Sequence, residues 1–195
     1  MGRARMTATG WVAATLVVGI VITGCGNGGK TSAPPSKTPV VSTPTGPPPD
    51  YSALLIQPGD VGDDFTAPQP PVLNSNNTTG VAQLFVNADN SRRIGDTILV
   101  VADPATAAAA LENTKANYAK KVPGAWQPVD VGSNGAMISG TSSDNSQAIA
   151  VLLFTEGRAL INLEFDSAPN DPIDPAIAID VGRKQDTAVK NGLHD

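Results

Sequence analysis

The chain has 195 residues, a net charge of −5, one cysteine and one histidine, with aromatic residues at 4%. An acidic balance argues against nucleic acid as a partner and against an electrostatic grip on anionic headgroups. One cysteine excludes an internal disulfide, so any exported domain must draw its stability from its core.

Arg3 and Arg5 precede the apolar run from Trp11 to Ile22, which is too short to cross a bilayer comfortably but has the length of a signal-peptide core. Ile22-Thr23-Gly24-Cys25 follows, an aliphatic residue and two small ones before cysteine. That pattern resembles the lipobox of bacterial lipoproteins. The resemblance implies a leader of residues 1–24, a diacylglyceryl thioether on Cys25, further acylation of the palmitate kind, and an extracytoplasmic domain anchored to the cell membrane. Two acyl chains hold a domain stably where one does not. Loss of Arg3 and Arg5 with the leader makes the remainder two units more acidic.

Residues 25–49 are rich in proline, threonine, serine and glycine. Such a segment cannot bury enough surface to offset its ordering entropy, so a disordered linker is expected. Thr31, Thr38, Thr43 and Thr45 lie near prolines, a setting that suits O-glycosylation. Asn76 and Asn77 each begin an Asn-x-Thr pattern, a frequent chance match.

Residues 50–195 read as one domain. Asp50 opens a short helix to Ile56, stopped by Pro58-Gly59, and residues 68–80 read as a surface loop. Strands are expected over 81–86 and 94–101, where β-branched residues concentrate. Asp103-Pro104 then supplies an N-cap and N1 proline for a helix reaching Lys121, with Ala107, Leu111, Thr114 and Tyr118 on one side. Short strands follow at 126–131 and 136–140. Segments 148–155 and 158–166 flank a turn at Glu156-Gly157 and form a hairpin. In its second arm Ala159, Ile161, Leu163 and Phe165 alternate with Leu160, Asn162, Glu164 and Asp166, the pattern of a sheet with one wet face. Asp174-Pro175 opens the last helix, on which Ala178, Val181, Ala188 and Val189 form the apolar stripe. The expected fold is α+β, an antiparallel sheet with helices packed on one face.

Leu54-Leu-Ile-Gln-Pro-Gly-Asp-Val61, the strand Thr97 to Val101 running into the alanine-rich helix, the segment 126–131, the hairpin and the closing helix resemble, in order, the extracellular sensor domains of the actinobacterial PknH kinase family and its lipoprotein relatives. The resemblance spans residues 50–193 and implies a mixed antiparallel sheet with a cleft for a cell-envelope ligand. That family's paired cysteines have no counterpart here. It transfers no catalytic residue.

His194 is next to the last residue, and lipidation would consume Cys25, so no nucleophile and base pair is in view and no catalytic residue is assigned. Asp60, Asp63 and Asp64, and Asp166, Asp171 and Asp174, crowd two loops without the spacing of a calcium loop, so no metal site is expected. No phosphate-cradling glycine pattern occurs, and no cofactor is expected. Glu164 and Asp166 on the wet strand face, with Arg92 and Arg93 before the second strand, are the candidate ligand-binding residues. The sequence therefore suggests a non-enzymatic envelope lipoprotein that binds an unidentified ligand or protein partner. Alternatives are a lipid or glycolipid carrier, for which so few aromatics supply little lining, and an envelope hydrolase.

Overall fold

The structure is a computed structural model that describes residues 49–75 and 78–194. The expected leader, Cys25, the linker as far as residue 48, and Asn76 and Asn77 lie outside the described residues.

A 3-10 turn at Ser52–Leu54 and a short helix α1 (Pro58–Val61) precede the strands. Pro58, expected as a stop, instead starts α1, where its missing N–H is harmless. Next come β1 (Phe65–Thr66), β2 (Val72–Leu73), β3 (Gly80–Asn87) and β4 (Arg93–Val100). Helix α2 (Pro104–Tyr118) is followed by β5 (Gln127–Pro128), β6 (Ser133–Thr141), β7 (Ala148–Glu156), β8 (Ala159–Ser167) and helix α3 (Pro175–Gly192). The strands form one sheet in the order β1-β3-β4-β8-β7-β6-β5, with β2 also on β3, and every pairing is antiparallel. The α+β architecture with an antiparallel sheet is as expected.

The helices, however, do not share a face. Along β7 the even positions Ala150, Leu152 and Phe154 join a core with Val181 and Val189 of α3, while Val151 and Leu153 join a second core with Leu111 of α2. A strand apolar on both faces needs a cover on each, and β7 has one from each long helix. This departs from the one-faced packing expected from β8 alone.

Both helices start as expected. Asp103 accepts the backbone N–H of Thr106 at 2.8 Å, and Asp174 accepts that of Ala176 at 2.9 Å. The β7–β8 hairpin turns through Gly157, whose φ of +52° lies in the left-handed region that glycine tolerates. Gln185 of α3 is fully buried, accepting from the Ile56 N–H at 3.1 Å and donating to the Leu54 carbonyl at 2.7 Å. It ties the segment Leu54–Ile56 to the last helix.

Candidate functional site

Helix α2 packs on β7 and β8, so its face of the sheet is left open over β3 and β4. There Leu84, Arg93 and Gly95 are half-buried and Thr97 is exposed. The register sets Asp166 opposite Arg93, Glu164 opposite Gly95 and Asn162 opposite Thr97. A Cβ built at Gly95 would meet nothing within 4 Å, so a notch lies beside Glu164. Tyr118, at the end of α2, reaches the same strand. Its hydroxyl donates to Glu164 Oε2 in a short hydrogen bond and accepts from Asn162 Nδ2 at 3.0 Å. Burial, then the charge of Glu164, holds the Tyr118 phenol above its ordinary pKa.

Asp166 is pushed up to about 6, chiefly by burial and then by the charge of Glu164, with Arg93 acting against both. Past Asp166 the face ends in a groove of about 240 Å³ lined by Asn90, Ser91, Arg93, Ser146, Gln147 and Asp166. Three of the four candidate residues thus converge: Arg93, Glu164 and Asp166. Arg92, just before β4, does not join them. Its Nη2 instead donates to Asp171 Oδ2 at 2.9 Å.

A second concavity lies at the sheet edge, on the face covered by α3. Thr66 pairs with Val86 and Val72 with Ala82, so five residues of one chain span three of β3. The excess arches off the edge as a strap, residues 67–71, in which Pro68, Pro70 and Pro71 have no N–H to offer a ladder. Beneath it is a cavity of about 540 Å³, with Leu55, Ile56, Gln57, Gln69, Gln83 and Phe85 among its lining residues. Gln83 Nε2 donates to the Gln69 carbonyl at 2.9 Å and to the Leu84 carbonyl at 3.0 Å. Sequence reasoning read this region as an undivided loop and missed the cavity.

It also missed Asp96. The residue faces Gln83 across β3 and β4, is completely buried, and neither carboxyl oxygen has a hydrogen-bond partner. Burial alone pushes its carboxyl up to about 8, so it is largely protonated at neutral pH. The signal was present in the alternation Ile94, Asp96, Ile98, Val100, which puts one acid on an inward aliphatic row.

The acidic loops have structural occupations. Asp60 closes a capping box with Gln57, Asp171 pairs with Arg92, and Asp174 caps α3. Among the described residues no three His, Cys, Asp or Glu side chains group closely enough to hold a metal ion. No described helix is long and apolar enough to cross a membrane.

No family profile and no curated protein matches the chain in sequence. Among solved structures, the extracellular domain of PknH from Mycobacterium tuberculosis superposes with a TM-score of 0.53 at 10% identity, covering 71% of this chain and 94% of that one. The likeness is one of fold. It agrees with the order of elements from which the resemblance was read, and at that identity it assigns no residue.

Proposed function

We propose that this protein is an extracytoplasmic cell-envelope protein, lipid-anchored through Cys25, that binds an envelope ligand or partner protein without catalysing a reaction. The observation that carries the binding reading is the open half-face of the sheet. A face left uncovered around Leu84, Gly95 and Thr97, with a notch at Gly95 and a Tyr118-braced carboxylate beside it, is a surface prepared for contact. Glu164 and Asp166 rise from one strand on one wall, whereas hydrolysis of a glycosidic bond needs carboxylates on both sides of it. Similarity of fold to an extracellular domain supports the location.

The test is to cross-link wild-type protein and Gly95→Phe to envelope extract and compare what each retains. A Cβ at this position meets nothing within 4 Å and the side chain points to the open face, so the variant is expected to melt like wild type and lose the ligand. Equal retention by both proteins would remove the open face from consideration.

A further inference from the structure

We propose that the interrupted edge of β3 is a second binding site, which takes a short, extended, uncharged peptide segment beneath the strap while Gln83 turns from Leu84 to Asp96. The site lies on the sheet face opposite the open one, and the inference goes beyond the function proposed above.

The gap comes first. Between the pairings at Val86 and Ala82, the outer edge of β3 has no strand beside it, because the strap carries prolines and two residues too many. A sheet edge with unpaired backbone is a template for an extended chain. At Leu84 the place of the missing strand's N–H is taken by the side-chain amide of Gln83, a substitute that an incoming peptide N–H displaces. Three residues of β3 are bypassed, about 10 Å at the rise of a strand, which sets the length of the segment.

The lining sets its chemistry. Every residue around the cavity is uncharged: Ser52 and three glutamines supply donors and acceptors suited to a peptide backbone, and prolines with Leu55, Ile56 and Phe85 supply the walls. A charged side chain brought in here would be desolvated with no countercharge. The volume of about 540 Å³ falls within the range of ligand pockets.

Asp96 accounts for what the displaced amide does. Directly opposed residues in an antiparallel pair hold their β-carbons about 4.5–5.5 Å apart, so the Gln83 amide reaches the Asp96 carboxyl. Asp96 is at present a buried polar group without a partner, a costly state that such a swap ends. Its neighbours on the same face of β3, β4 and β8 are the uncharged Gln83, Ile94, Ile98 and Leu163. Peptide entry and satisfaction of Asp96 are therefore coupled through one side chain.

The experiment titrates full-length protein in mild detergent with acetyl-Val-Ser-Val-amide, following amide hydrogen exchange over residues 81–86 and the Asp96 carboxyl carbon by NMR. Exchange at Leu84 is expected to slow at least tenfold and the Asp96 carbon to shift. Affinity is expected to fall about fivefold in Asp96→Val, the ratio for one hydrogen bond, and to be retained in Asp96→Asn, which still pairs with Gln83. Glu164→Gln should bind the peptide like wild type, which separates this site from the open face. Unchanged exchange at millimolar peptide, or an unmoved Asp96 carbon in wild-type protein, overturns the proposal whether or not Asp96→Val folds. The same protection produced by N-acetylglucosamine overturns the peptide assignment.

Discussion

Asp96 is the residue at which this protein departs furthest from what its fold alone requires. The inward row of β4 is otherwise aliphatic, and a carboxyl there has its pKa raised to about 8. A raised folded-state pKa means that the native state binds the proton more tightly than the unfolded chain does. The stability this confers is fully present below about pH 4, where both states are protonated, and is lost as pH rises through about 8. Urea unfolding of wild-type protein should accordingly show stability falling from pH 5 to pH 8.5, and Asp96→Asn should flatten that slope. A slope unchanged by the substitution would mean that Asp96 is not the group responsible. Tyr118 makes the opposite case, a polar atom with two partners. Tyr118→Phe should cost about 1–2 kcal/mol by leaving Glu164 and Asn162 short of one bond each, measured by the same method. The outward parity of Glu164 and Asp166 was legible from period-two alternation, and so was their nearness to Arg93 once β4 and β8 pair. The same alternation contained Asp96, but an acid on an inward row carries no hint of its neighbours until a sheet order exists.

At the scale of elements, what was written in local chemistry was readable and what depended on partners was not. Asp-Pro pairs fixed the starts of α2 and α3 because capping is a matter of adjacent residues. Which face each helix covers is decided by β7, whose apolar run serves both cores and therefore names neither. Residues 68–80 hide a two-residue strand inside what reads as loop, since β2 is recruited by the β3 edge and not by its own propensity. Close packing of α3 is visible at Gly182, where an added Cβ would lie 2.3 Å from Leu152 Cδ2 and 3.3 Å from Val131 Cγ1. Gly182→Ala would stabilise an exposed helix. Here the Leu152 side chain is itself fully buried, and the substitution should cost about 1–3 kcal/mol in chemical denaturation, as overpacking does. A gain in stability would show that Leu152 has room to turn away.

At the scale of the whole molecule, composition bore on partners and compartment and said nothing of topology. The proposed anchor is tested directly: Cys25→Ala should move the protein from the membrane to the soluble fraction, and continued membrane attachment would contradict lipidation. The Gln185 clamp then acquires a mechanical meaning. With an anchor upstream of Asp50, any pull on the domain arrives at the segment from Tyr51 to Ile56, which Gln185 fastens to α3 through both its amide atoms. Tension along the tether is thus carried across to the last helix of the chain, and the first element to feel a load on the anchor is held by the last one made.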